Sequence, residues 1–351
     1  MLSAPGFSLI EAPPVEGLSG PVIDVGRVGV RGLIAALDTG GPVYLVRDPS
    51  SPPDTLDTVD KIWLQTSGTT GTPKWVGHDL AKLLVRIAPG QGEAARWLLT
   101  FHPASFAGLQ VILSAMIGGH VLICPPVGAD VAAMVHLAVT ERATHISGTP
   151  TFWRAFLMAL GDQDLDLRSV TLGGEAPDQG ILDVLRTRFP KARLRHIYAT
   201  TEAGRVFSVS DGRAGFPRAW LNDQLAMSPH DTLLVAGRDT GDVIVLTDER
   251  VLFQGRLDAM VNIGGVKIYP EAVETHLLKL DIIQDVRVTP KPNPITGHIL
   301  VADIVLKPFS DDATAQIKAH VALLPRAARP ASLRFVDRLD IGATGKKLRS
   351  A

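Results

Sequence analysis

Thr66-Ser67-Gly68-Thr69-Thr70-Gly71-Thr72-Pro73-Lys74 is the stretch on which the reading of this chain turns. It follows directly on Lys61–Gln65, whose apolar and aromatic content predicts a strand. Hydroxyl side chains, two glycines and a lysine at a strand end can aim backbone N–H groups, hydroxyls and one cation at a single polyphosphate. The Walker spacing is absent, because Gly71 comes three residues after Gly68 and no Lys-Ser or Lys-Thr pair follows. By composition alone the stretch suits a solvated turn equally well.

Around it, short β-branched runs alternate with helical patterns. Strands are expected at His120–Cys124, His145–Ser147, Ser169–Leu172 and Leu194–Tyr198. Helices are expected at Ala107–Ile117, Val131–Thr140, Phe152–Ala159 and Gln179–Phe189. This alternation predicts an α/β fold with mainly parallel sheets covered by helices. After Arg238 the texture changes. Asp242–Leu246 and Val251–Gln254 flank a turn at Asp248–Arg250, and a small α+β unit is expected beyond Gly255. Its helices would cover Pro270–Leu280 and Asp312–Leu323, with strands near Val286–Val288 and Ile299–Leu306. The expected domains are therefore 1–255 and 256–351.

Composition narrows the function classes. The chain has 351 residues, 46% of them hydrophobic, enough for a sizeable core. Its 35 basic and 36 acidic residues leave a net charge of -1, which gives no electrostatic reason to expect nucleic acid or an anionic membrane as partner. The apolar run Leu109–Pro125 is broken by Gln110, Gly118, Gly119 and His120, and is shorter than the roughly 20 residues of a membrane span. Met1–Pro14 lacks the basic start and apolar run of a secretion signal. The single cysteine, Cys124, sits among apolar neighbours and reads as a buried structural thiol. A cytoplasmic protein acting on a small molecule is the expectation.

The order of residues in the 66–74 stretch resembles the phosphate loop of the adenylate-forming superfamily, which includes acyl-CoA synthetases, peptide-synthetase adenylation domains and luciferases. Four further segments are similar to superfamily motifs in the same chain order. Leu172-Gly173-Gly174-Glu175-Ala176-Pro177 resembles the segment whose backbone borders the adenine and acyl pockets. Tyr198-Ala199-Thr200-Thr201-Glu202 looks like the Tyr-Gly-x-Thr-Glu signature, with Ala199 in place of the glycine. By this resemblance Tyr198 stacks on adenine, Thr201 bonds the α-phosphate and Glu202 holds Mg²⁺. Thr240-Gly241-Asp242, followed by Gly255-Arg256-Leu257-Asp258, implies Asp242 and Arg256 as ribose ligands and Asp258 as a hinge. Behind it, Asn262-Ile263-Gly264-Gly265 is similar to the mobile loop lining the approach of the thiol. Ala343-Thr344-Gly345-Lys346-Lys347-Leu348-Arg349 places Lys346 right after the glycine, where the superfamily's lysine bridges the substrate carboxylate and the α-phosphate. Lys347 is the nearest rival for that role.

Two residues from outside these motifs join the acyl pocket by the same resemblance. His102, in Thr100-Phe101-His102-Pro103, is similar to a residue that gates the pocket, and Gly108 lies just beyond it. An ordinary packed histidine is the competing reading of His102.

What the resemblance implies is a two-step ligase. A carboxylic acid and MgATP give an acyl-adenylate and pyrophosphate; a thiol then displaces AMP. Coenzyme A is the expected thiol, ahead of a carrier-protein phosphopantetheine and of an amine. A non-catalytic nucleotide-binding protein is the contrasting class, and loss of Lys346, Glu202 or Asp242 would favour it; all three are present. Only Met1–Gln65 precede the phosphate loop, fewer residues than typical members carry there. A reduced N-terminal region implies a more open acyl pocket, and burial of the missing face in a homodimer is one remedy.

Overall fold

The computed structural model describes residues 3–12, 16–17, 20–53, 55–66, 74–85, 87, 93–200, 203–307, 312–342 and 346–348. The chain divides into two compact units. The first runs from the N-terminus to Gly174 and includes Arg188–Ser208; the second holds Glu175–Thr187, Val209–Gly342 and the tail from Lys346.

In the first unit the chain forms β1 (Ser8–Ile10), β2 (Val22–Asp24), α1 (Val25–Thr39), β3 (Val43–Val46), β4 (Ile62–Thr66), β5 (Lys74–His78) and α2 (Leu80–Leu84). It continues with β6 (Arg96–Leu98), α3 (Phe106–Ile117), β7 (Val121–Ile123), α4 (Val131–Thr140), β8 (His145–Gly148), α5 (Pro150–Leu160) and β9 (Ser169–Gly173). After α6 (Gln179–Arg188), most of which belongs to the second unit, come β10 (Arg193–Thr200) and β11 (Gly204–Val209).

Seven strands build one sheet in the order β1-β7-β6-β8-β9-β10-β11. From β1 through β10 its pairings are parallel. A second sheet, β2-β3-β4-β5, is parallel except at the β4–β5 hairpin. One core joins residues of α1, α3 and both sheets, including Leu33, Leu45, Leu64, Ile112 and Leu122. Helix starts follow the hydroxyl and carboxylate caps in the sequence. Ser105 accepts from the Gly108 amide, Asp130 from that of Ala133 and Thr149 from that of Phe152, with Pro150 in the first turn of α5. Cys124 is buried, and burial raises its thiol pKa, so it stays protonated.

Besides most of α6, the second unit holds an antiparallel sheet of β12 (Phe216–Pro217), β13 (Leu225–Met227), β14 (Thr232–Val235), β15 (Arg238–Leu246) and β16 (Arg250–Arg256). It continues through a β17–β18 hairpin (Val261–Ile263 and Val266–Ile268), α7 (Pro270–Leu277), β19 (Ile283–Asn293), β20 (Gly297–Leu306), α8 (Ala313–Val321) and β21 (Ser332–Phe335). Both α7 and α8 contribute to a separate core with β17 to β20, centred on Leu277, Val286, Val288, Ile304 and Ile317. The expected α/β class, with a smaller α+β part at the C-terminus, is what the fold shows. Among the described residues no helix is long and apolar enough to cross a membrane.

Candidate active site

Parallel strands all point their carboxyl ends to one edge of the sheet, and in open α/β sheets ligands bind there. Three of the segments singled out in the sequence meet at that edge of the first unit. β6 leads to Thr100 and His102, β9 ends at Gly173 and β10 runs to Tyr198 and Thr200. In register, Gly148 of β8 faces Leu172 of β9, and Gly173 faces Ile197 of β10. The Thr100 hydroxyl donates to the Ser147 carbonyl, tying the ends of β6 and β8 together. Gly174 turns the chain out of β9 at φ +81°, a conformation that glycine adopts without strain.

Tyr198 is half-buried and stacked on Phe207 of β11, with centroids 5.1 Å and planes 18° apart. Phe207 thus fixes the plane of the tyrosine ring. Sequence reading missed it; its only signal was an aromatic residue in a β-branched run just after the Tyr198 motif.

His102 is held in a tight turn ahead of α3. Its carbonyl accepts from the Ser105 hydroxyl at 2.7 Å and the Ser105 amide at 2.9 Å, while its Nδ1 accepts from the Ala104 amide at 3.1 Å. An accepting Nδ1 leaves the proton of the neutral ring on Nε2. Burial, and then the nearby Arg47 cation, lower its pKa, with Asp24 opposing. Gly108 has a steric reason to be glycine: a Cβ there would lie 2.2 Å from the His102 carbonyl oxygen. Its visible effect is to let the first turn of α3 pass under the His102 turn.

At the mouth of the β4–β5 hairpin, Thr66 is paired with Lys74. The loop between them, with Ser67, Gly68, Thr69, Thr70 and Gly71, lies outside the described residues, as do Thr201 and Glu202. β4 is pinned by Gln65, a buried side chain that no motif in the sequence singled out. Its carbonyl accepts from the Arg47 and Asp48 amides at 2.8 and 3.0 Å, and its amide donates to the Ser51 carbonyl at 2.6 Å.

The remaining sequence candidates fall in the second unit, and they too have defined surroundings. Glu175 and Ala176 follow the Gly174 turn, Glu175 half-buried and Ala176 exposed. Asp242 of β15 pairs in register with Arg256 of β16. The Arg256 guanidinium reaches Asp242 at 3.3 Å and grips both carboxylate oxygens of Asp258, at 2.9 and 3.2 Å. Ribose-ligand candidates and hinge candidate therefore form one ion-paired cluster. Gly264 and Gly265 form the two-residue turn of the β17–β18 hairpin, both at positive φ (+57° and +88°), which explains why two glycines sit there. Near the chain end Lys346 is exposed, whereas the Lys347 ammonium is held inside the unit, 2.8 Å from Asp285 and 3.6 Å from Glu274.

Comparison with known proteins finds the family to which the chain belongs. The family described as AMP-binding enzyme matches residues 36–236, and the AMP-binding enzyme C-terminal domain matches residues 272–346. Gramicidin S synthase 2 of Aneurinibacillus migulanus is 25% identical over 349 residues, a match that takes in 82% of this chain and 8% of that protein. The 4-coumarate--CoA ligase of Cereibacter sphaeroides is 28% identical over 306 residues, covering 80% of this chain and 68% of the ligase. The chain thus spans a small part of one relative and about two thirds of the other. In fold it is similar to the anthranilate CoA ligase AuaEII in complex with anthranoyl-AMP, with a TM-score of 0.60 and 20% identity over 87% of this chain and 71% of that one. With the larger and the smaller family domains matched in succession along it, this chain belongs to the AMP-binding enzyme family, within the adenylate-forming superfamily that its ordered motifs resemble.

Proposed function

We propose that this protein activates a carboxylic acid with MgATP as an acyl-adenylate and passes the acyl group to a thiol, coenzyme A before other acceptors. The observation that carries the proposal is the convergence of His102, Gly173–Gly174 and Tyr198 on one carboxyl edge of a parallel sheet, in a chain of this family.

In the first half-reaction a carboxylate oxygen of the acid bonds to the α-phosphorus. The bond from that phosphorus to the bridging oxygen breaks, and pyrophosphate leaves with the electron pair. Tyr198, backed by Phe207, offers a fixed aromatic face to the adenine. Asp242 can accept from the ribose hydroxyls while Arg256 holds its carboxylate in place. Thr201 and the 66–74 loop are assigned to the phosphates, and Glu202 to the magnesium that arrives with the nucleotide and offsets its charge. Lys346 is assigned to the carboxylate and α-phosphate, where an ammonium stabilises the charge that builds up in the transition state.

In the second half-reaction a thiolate sulfur bonds to the acyl carbon and AMP departs with the electrons of the mixed-anhydride bond. For this step we assign 256–351 as a part that turns against 1–255 with Asp258 as pivot, bringing the Gly264–Gly265 turn to the acceptor. Likeness to a 4-coumarate--CoA ligase supports coenzyme A as acceptor, and a carrier-protein thiol is the second reading.

Pyrophosphate release across a panel of aromatic and aliphatic carboxylic acids tests the activation step. Transfer from a pre-formed acyl-adenylate to coenzyme A, pantetheinylated carrier protein or amine tests the acceptor. No acid-dependent pyrophosphate release from any member of the panel would defeat the proposal, and turnover of the adenylate that is the same with and without coenzyme A would remove it as acceptor.

A further inference from the structure

The tail of this chain has a buried cation beside the exposed one. The Lys347 side chain is 8% exposed, and its Nζ lies 2.8 Å from Asp285 Oδ1 and 3.6 Å from Glu274 Oε2 while donating to the Val286 carbonyl at 2.5 Å. Each carboxylate is itself fixed by backbone, Asp285 accepting from the Val286 amide at 2.9 Å and Glu274 from the Val288 amide at 2.8 Å. An ammonium leaves water only where oxygens replace its hydration, and here three do.

Backbone contacts close the same segment. Ile341 and Lys347 form an antiparallel bridge, the Gly342 amide donates to the Lys346 carbonyl at 2.8 Å, and the Leu348 amide donates to the Asp340 carbonyl at 3.0 Å. Arg287 donates to the Leu348 carbonyl at 2.8 Å from a side chain that also pairs with the buried Asp303. Lys346, directly before the buried Lys347, is exposed, and the Ile341 bridge and the Arg287 contact hold the two residues that follow it.

We infer that Lys347 is a positioning residue: its buried ion cluster with Asp285 and Glu274 sets the register and direction from which Lys346 acts. The inference rests on the assignment of Lys346 to adenylate formation. It predicts that loss of the anchor affects the half-reaction that uses Lys346 and spares the other.

The test compares Lys347→Met, the double variant Lys347→Met with Asp285→Asn, which also removes a buried carboxylate left without its cation, and Lys346→Ala. Thermal melts and far-ultraviolet circular dichroism establish which variants fold. For those that do, pyrophosphate formation, acyl transfer from supplied acyl-adenylate, and hydrogen exchange of the 340–348 amides are measured. Displacement of a catalytic group by about 1 Å can lower a rate about a hundred-fold, so a drop of that order in kcat for pyrophosphate formation is expected, with KM for ATP and the transfer step within about two-fold of the parent. Exchange in the tail is expected to rise in both Lys347 variants. A folded double variant with parental pyrophosphate formation, or with both half-reactions reduced equally, would overturn the inference. If Lys346→Ala keeps full pyrophosphate formation, the assignment of Lys346 is wrong, and parental exchange rates in the Lys347 variants would overturn the anchor independently.

Discussion

Phe207 lies nearly parallel behind the ring of Tyr198, 5.1 Å away, so one face of the tyrosine is spoken for and its plane is set by the neighbouring strand. An aromatic pair of this kind contributes about 0.5–1.5 kcal/mol beyond its buried area, equivalent to a factor of about 2 to 12 in affinity. Phe207→Ala is expected to raise KM for ATP and Kd for AMP within that range, while kcat at saturating nucleotide stays close to the parent. Calorimetric titration with AMP reads this directly; unchanged affinity would mean that Tyr198 does not meet the nucleotide.

Gly108 makes a structural prediction independent of any ligand. A methyl group at this position would sit 2.2 Å from a backbone oxygen, which no side-chain rotation relieves. Forcing atoms into a packed site costs about 1–3 kcal/mol. Gly108→Ala is therefore expected to lower the urea midpoint of the first unit, and to disturb His102, whose turn must move. Parental stability would show that α3 can shift without loss.

Those two residues also show how far the sequence could be read. β4, α3, α4, β8, β9 and β10 were legible because period and caps lie within each segment, as with Asp130 and Val131–Thr140. α1 was not, because Gly26, Gly29 and Gly32 look like breakers. The helix does kink at Gly29 (φ +69°), and the amides freed beyond it are capped by Glu11, which donates no local signal: its carboxylate accepts from Val30 at 2.5 Å and Arg31 at 3.1 Å. Within the site, residues carrying charge or a motif could be found, but Phe207 and Gln65 act on neighbours in space. The same holds for Lys347, whose burial depends on Asp285 and Glu274, residues about sixty to seventy positions earlier in the chain.

His145 carries a pH prediction. Burial, then the Arg168, His120 and Arg195 charges, push its pKa down to about 4 from the ordinary histidine value of 6.5. The folded state thus favours the neutral ring and the unfolded state binds the proton more readily. Its contribution to stability is complete above about pH 6.5 and is lost as pH falls towards 4. Urea midpoints measured between pH 7.5 and 4.5 are expected to fall on the acid side, and less steeply in His145→Phe than in the parent. Equal slopes in the two proteins would assign the acid sensitivity to other groups.

Arg256 divides one guanidinium between Asp242 and Asp258. A lysine keeps the charge but cannot span two carboxylates, so Arg256→Lys is expected to raise KM for ATP about ten-fold, the size of one lost charge-assisted hydrogen bond. Asp258→Ala leaves the Asp242–Arg256 pair in place. Its expected effect is on acyl transfer from supplied adenylate, with KM for ATP within about two-fold of the parent because the pair assigned to the ribose stays. Equal losses in both half-reactions would remove Asp258 as a pivot.

Lys346 bears the sharpest expectation, because its charge is assigned to one chemical step only. During adenylation negative charge passes onto the oxygens around the α-phosphorus as the carboxylate approaches, and an ammonium placed there is stronger in the transition state than in the ground state. In acyl transfer the phosphate is already the leaving group, and the assigned approach of the thiol is from another segment. Removing a single such donor typically lowers kcat by about 10²–10³-fold. Lys346→Ala is thus expected to lose pyrophosphate formation by that order and to form thioester from supplied acyl-adenylate at close to the parental rate. Lys346→Arg retains charge on a longer, planar group and is expected to recover only part of the first step. Measured side by side in single-turnover experiments, a parallel fall of both half-reactions would mean that Lys346 supports the fold or the nucleotide and not the transfer of charge at phosphorus.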